Sequence, residues 1–315
     1  MKEILTTTLK NFKQARFTFV LLLYCLIVFA SIQFLKNDEL VSNETLTYFG
    51  APVAIDIYSF QYWGIISNSF VHYSIGHFIL NLIGLLLLGS FVERRIGTKY
   101  FLFFGLIAST ISSAFQLAFS DDAGIGLSGV NYALFGFIFT KTFIDIRFRI
   151  VTKNVALVTM LLFIPFCEYM NRFGGWNVAS IALFFGFTVG GLVAFFKSRY
   201  SSFAKSALIS LLLLSVASVF YTPWSAQWYC AKGISWHEKG ETQKAKDYYL
   251  QAIYFDETSI CGNDNLKIIK VDELSAKAFT AHNRGDYLRA RYYYEEILKI
   301  DTENSWAISN LKRLP

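Results

Sequence analysis

A serine flanked by glycines stands at the mouth of an apolar run in the stretch GIGLSGVNYALFG, residues 124–136. Placed so, Ser128 is a candidate nucleophile, and its hydroxyl needs an adjacent base to take its proton. Upstream, VHYSIGHFILN (71–81) carries His72, His77 and Asn81 in the pattern H-x4-H-x3-N. Positions 77 and 81 are one helical turn apart and face a common spot. Imidazole and carboxamide donate hydrogen bonds, as a developing oxyanion requires. The same pair would equally serve as polar glue between helices. Acyl transfer is the chemistry these residue types suggest, and the base is the part to find. No C-x-x-C or Cys/His pattern points to a metal, and no cofactor is expected.

These residues need elements to hold them. Hydrophobic residues make up 54% of the 315, phenylalanine alone numbers 32 and mean hydropathy is +0.40, well above a soluble average. The excess is confined to residues 17–222. Seven apolar runs lie there, at about 17–35, 75–91, 100–119, 127–145, 152–168, 177–196 and 204–222. Each is close to the ~20 residues a bilayer core requires. The alternation of a membrane barrel is missing, so the spans are read as helices and the fold class as an all-α polytopic membrane protein. The first run has a long apolar core and no clear A-x-A cleavage signal, and reads as a retained anchor.

Basic residues set the orientation. With a cytoplasmic N-terminal segment, 1–16, one side carries Lys2, Lys10, Lys13, Arg16, Arg94, Arg95, Lys99, Lys141, Arg147, Arg149, Lys153, Lys197, Arg199 and Lys205. The short loops of the other side carry only Lys36 and Arg172. Fourteen against two fixes the orientation by the positive-inside rule, and the expected location is a bacterial inner (cell) membrane. Ser128 then stands at the outer end of the fourth helix, and everything after 222 is extracytoplasmic. The sequence pI of about 9.0 records this topology and no nucleic-acid partner is inferred.

Residues 223–315 read as a soluble helical domain with an internal repeat. Gly240, Ala245 and Tyr249 recur as Gly285, Ala290 and Tyr294 at an offset of 45. Gly233, Trp236 and Ala252 complete the first copy at the spacing of a tetratricopeptide-type helix–turn–helix; Ala278 and Ala281 stand in the second where the first has Gly233 and Trp236. Against that type's 34 residues the offset implies roughly eleven extra, around 259–271. Two unrelated amphipathic hairpins are the alternative, and either way the module is of the protein-binding kind. Cys25 and Cys167 sit in apolar spans as small core residues. Cys230 and Cys261 both fall in the tail. A hairpin returns the end of its second helix beside the start of its first, so a disulfide between them is geometrically open, as is a pair of unlinked small residues.

At this point the motifs resemble the rhomboid family of intramembrane serine proteases. The resemblance runs from about residue 60, Trp63 included, to 196. It rests on His72, His77 and Asn81, then Glu93 and Gly97, then Gly126-Leu127-Ser128-Gly129 with Tyr132. It implies a six-helix core followed here by a seventh helix. It also implies Ser128 as nucleophile, His77 and Asn81 in the oxyanion hole, and Tyr132 stacked on a catalytic histidine. That histidine belongs on the sixth span, three residues before a G-x3-G. Gly186 and Gly190 supply the G-x3-G, which lets the fourth and sixth helices approach closely, but the position three before it is Leu183. The other histidines are His237 and His282, both in the tail. Without its base such a serine retains only ~10³–10⁴-fold assistance from binding and oxyanion stabilisation. The expectation is a catalytically impaired pseudoprotease that binds transmembrane segments or partner proteins, its helical-repeat tail adding a second contact. An active intramembrane serine endopeptidase with a non-standard base is the alternative, and a structural anchor for the tail a third.

Overall fold

The structure, a computed structural model, describes residues 15–35, 41–72, 74–145, 148, 154–196 and 198–315. Lys2, Lys10, Lys13, Lys36, Arg147, Arg149, Lys153 and Lys197, which carry much of the charge asymmetry, lie outside the described residues. Among those described, every regular element is helical. The chain divides into two compact units, Met1–Thr222 and Pro223–Pro315.

The first unit is built from α1 (Arg16–Leu35), α2 (Ile75–Ile96), α3 (Thr98–Ser120), α4 (Ser128–Ile144), α5 (Asn154–Phe173), α6 (Ser180–Ala194) and α7 (Ser201–Phe220), with short helical turns between α1 and α2. Among the described residues, α1, α2, α3 and α7 are long and apolar enough to cross a membrane. The 17-residue α4 and 15-residue α6 fall short of the expected spans. For α6 the reason is local. Asn171 Oδ1 accepts the Val178 N–H and Asn171 Nδ2 donates to the Val178 carbonyl (2.9 and 2.7 Å), which keeps the segment before Ser180 extended. The helix α5 carries Pro165 inside it, whose missing N–H and ring clash disturb one turn.

At the centre, α4 lies directly on α6, because three glycines remove the side chains that would separate them. A methyl on Gly186 would overlap the Gly129 carbonyl, one on Gly190 the Ala133 carbonyl, and one on Gly136 the Phe187 carbonyl. Such backbone proximity is the usual reason for small residues between membrane helices. Around the seam Phe104, Phe115, Leu134, Phe137 and Val189 form the main core. The start of α1 is held by a buried carboxylate. Glu93, near the end of α2, accepts the N–H groups of Phe17 and Thr18 (3.0 and 2.8 Å) and the hydroxyls of Thr18 and Thr98 (both 2.7 Å). It thereby satisfies donors that the first helical turn leaves without partners and suits the positive end of the helix dipole.

The second unit comprises α8 (Ala226–Glu238), α9 (Thr242–Phe255), α10 (Ile260–Asn283), α11 (Tyr287–Ile300) and α12 (Ser305–Lys312). Gly240 and Gly285 turn the two hairpins at φ +76° and +77°, left-handed values that favour glycine. Ala245 and Ala290 are buried in matching positions, as are Tyr249 and Tyr294. The extra residues form no loop: α10 has 24 residues against 13 in α8, so the insertion prolongs the second hairpin's first helix at its N-terminal end.

Candidate active site

Ser128 is the first residue of α4, and the loop before it is shaped by backbone conformations few side chains adopt. Asp121 lies at φ +53°, Gly124 at +68° and Gly126 at +96°. The Asp122 carboxylate accepts the Gly124 N–H at 2.9 Å. The Gly126 N–H donates to the Asn68 carbonyl (2.9 Å) and the Leu127 N–H to His72 Nε2 (3.4 Å). Any side chain on Gly126 would collide with two imidazoles at once: its Cβ would stand 2.6 Å from His77 Cε1 and 3.0 Å from His72 Nε2. The two rings lie 5.2 Å apart, centroid to centroid. His72 therefore acts on the loop as a buried acceptor, behind the serine. His77 flanks the same glycine from α2.

Asn81, one turn beyond His77, is clamped from both directions. Its Nδ2 donates to the His77 carbonyl at 3.0 Å. Asn131, three residues after Ser128 in α4, donates through Nδ2 to both the backbone oxygen and Oδ1 of Asn81 (3.0 and 3.1 Å). Just past this pair α2 contains a π-helical turn, Leu85–Gly89, a kind of irregularity that often accompanies functional sites. Asn131 escaped the sequence reading. Its signal was a carboxamide inside an apolar span, one turn after a candidate nucleophile.

Ser128, His77, Asn81, Tyr132 and Leu183 all line one open cavity of about 1270 Å³. Its walls are mostly apolar and include Phe29, Met160, Phe163 and Trp176. Among the described residues the Ser128 hydroxyl makes no hydrogen bond. Tyr132 donates its hydroxyl to the Met160 carbonyl at 3.2 Å. Its ring belongs to a cluster with Phe135, Cys167 and Leu183, in which Leu183 is fully packed. Beneath, Gln116 of α3 accepts the Ala182 N–H at 2.9 Å, and the Ser112 side chain fills the space against Gly129. Thus the loop glycines, both membrane histidines and Asn81 converge on the N-terminus of α4, while Gly129, Gly186 and Gly190 form the seam below it.

The remaining pair lies in the second unit. Cys230 of α8 and Cys261, at the start of α10, are joined by a disulfide with their Cα atoms 6.3 Å apart. Cys25 and Cys167 are buried and unlinked.

Residues 59–200, which include every cavity residue named except Phe29, match the family model for the Rhomboid domain. With the apolar helices on either side of that match, the described residues form an all-α, polytopic integral membrane protein that carries a Rhomboid domain over 59–200.

Proposed function

We propose that this is a catalytically impaired rhomboid-type protein that binds transmembrane segments or partner proteins. The observation that carries the reading is Leu183, packed against Tyr132 where the family resemblance calls for the general base, with a Ser128 hydroxyl that no side chain engages among the described residues. A hydroxyl with no proton acceptor beside it stays a poor nucleophile. The cavity, apolar-walled and open, suits a hydrophobic helix or its unwound end better than a soluble metabolite. In this reading Ser128 is the retained nucleophile position, Leu183 the lost base position, and His77 and Asn81 the remnant of an oxyanion hole. The tail is a tetratricopeptide-like binding module beyond the cytoplasm, attached to a seven-span domain whose N-terminus is cytoplasmic. The basic-residue asymmetry supports that orientation, and a disulfide in the tail suits an oxidising compartment.

A second reading, an active intramembrane endopeptidase, draws on one observation: His77 lines the same cavity as Ser128. A fluorophosphonate probe separates the two. No labelling above a Ser128→Ala control is expected; strong Ser128-dependent labelling would replace the pseudoprotease reading with the enzyme.

A further inference from the structure

We infer that the end of the tail formed by Trp224, Leu250, Tyr254, Phe255 and Ile260 rests in the lipid headgroup layer. The argument begins with chain length. The 20 residues of α7 match the ~30 Å of a bilayer core at 1.5 Å per residue. Only Tyr221–Ser225 separate Phe220 from the first residue of α8, and a turn at Pro223–Trp224 shortens the path. At ~3.3–3.6 Å per residue the N-terminus of α8 is held within about 20 Å of the point where α7 leaves the core.

Two contacts bring the other elements to that same end. Tyr229 of α8 stacks on Phe255 of α9, with centroids 5.5 Å apart and planes 11° from parallel. The Cys230–Cys261 disulfide fixes the start of α10 beside them. The end so assembled is unusually apolar for solvent: Tyr254 and Ile260 are each 78% exposed, and Leu250, one turn before Tyr254, 54%. The opposite end of the hairpin is polar, reading His237-Glu238-Lys239-Gly240-Glu241-Thr242-Gln243-Lys244. It lies about 20 Å away along the 13 residues of α8. A module polarised in this way, with aromatic and aliphatic groups at its tethered end, matches the chemistry of the membrane–water interface, where Trp and Tyr concentrate. Asp256 and Glu257 share that end, so the contact is with neutral headgroups and draws no strength from anionic lipid. The inference holds whichever face of the membrane the tail occupies, and it does not depend on the state of Ser128.

Spin labelling of the full chain in lipid nanodiscs tests it. With Cys25 and Cys167 replaced by alanine and the native disulfide verified by mass spectrometry, a nitroxide is attached in Leu250→Cys, Tyr254→Cys or Leu288→Cys. Leu288 is 85% exposed and lies in the second hairpin, beyond the far end of α10. In phosphatidylcholine discs, labels at 250 and 254 should show a severalfold higher ratio of oxygen to nickel-chelate accessibility than the label at 288, unchanged on adding phosphatidylglycerol. Nickel access at 250 and 254 equal to that at 288 would overturn the inference. So would exclusion of both reagents, which indicates a protein contact, or immersion that requires phosphatidylglycerol.

Discussion

Asn131 holds Asn81 by its backbone oxygen and its side-chain oxygen at once, through a single Nδ2. The pair ties α4 to α2 directly behind the serine loop. Removing the donor in Asn131→Ala takes one partner from Asn81 Oδ1 at the cavity wall, while the Asn81 backbone oxygen keeps the Leu85 N–H, at a cost of about 1 kcal/mol. Thermal unfolding in detergent should show a clear fall in midpoint. An unchanged midpoint would mean the clamp contributes nothing to the fold.

The α4–α6 seam predicts opposite outcomes for two neighbouring glycines. Gly186→Ala drives a methyl into the Gly129 carbonyl, whereas Gly191→Ala meets only Thr140 Oγ1 at 3.3 Å. Overpacking of this kind costs about 1–3 kcal/mol or more when backbone must move. Gly186→Ala should therefore lose yield and stability while Gly191→Ala stays close to wild type. Equal behaviour would show that the helices separate easily.

Against a generic transmembrane substrate, the wild-type protein should cleave no more than Ser128→Ala does, measured by blotting for the product fragment. Leu183→His places an imidazole among Tyr132, Phe135 and Cys167. A polar ring without partners there costs about 1–3 kcal/mol, so the variant should unfold earlier even where slight cleavage returns.

The two equivalent tail tyrosines differ in one bond. The Tyr294 hydroxyl pairs with His282 Nδ1 at 2.9 Å, while the buried Tyr249 hydroxyl has no hydrogen-bond partner among the described residues. Tyr294→Phe should destabilise the tail by about 1 kcal/mol and Tyr249→Phe should stabilise it, read from hydrogen exchange of tail amides. Burial also pushes the Tyr249 phenol up to about 12. Since its folded value lies above the unfolded one near 10, its contribution is intact below pH 10 and lost as pH climbs toward 12. Tyr249→Phe should reduce that alkaline loss.

Opening the Cys230–Cys261 link, which spans 31 positions, should cost the tail about 3–4 kcal/mol on the chain-entropy model. Cys230→Ser with Cys261→Ser is the direct comparison. Alkaline phosphatase fused after residue 225 should be active, and an active cytoplasmic reporter there would reverse the proposed orientation.

What the sequence disclosed follows from how each feature is encoded. Helices announce themselves through uninterrupted apolar runs, and Ser128, His77 and Asn81 through local spacing on one helix. Asn131, Gln116 and Glu93 did not stand out as clamps because their partners come from other helices, 50, 66 and 75 positions away. Which carboxamide faces which depends on helix rotation, and rotation is set by packing at glycines such as Gly129 and Gly186. The eleven extra tail residues were visible as a length, but whether they would loop or prolong a helix depended on Ile269 and Leu274 finding buried sites along α10.

The Glu93 carboxylate has a mechanical consequence. With four donors from α1 and from Thr98 gathered on it, the base of the first helix is pinned to the junction of α2 and α3. Sliding along its own axis would break those bonds together, so a displacement of α1 would have to pivot about Glu93 and draw Val28, Phe29 and Ile32 out of their packing. Its far end, near Leu35, sweeps the widest arc, and Phe29 and Gln33 on that half of the helix already stand in the cavity wall. A swing about Glu93 would therefore widen or narrow the cavity from one side while leaving the Ser128 loop where it is.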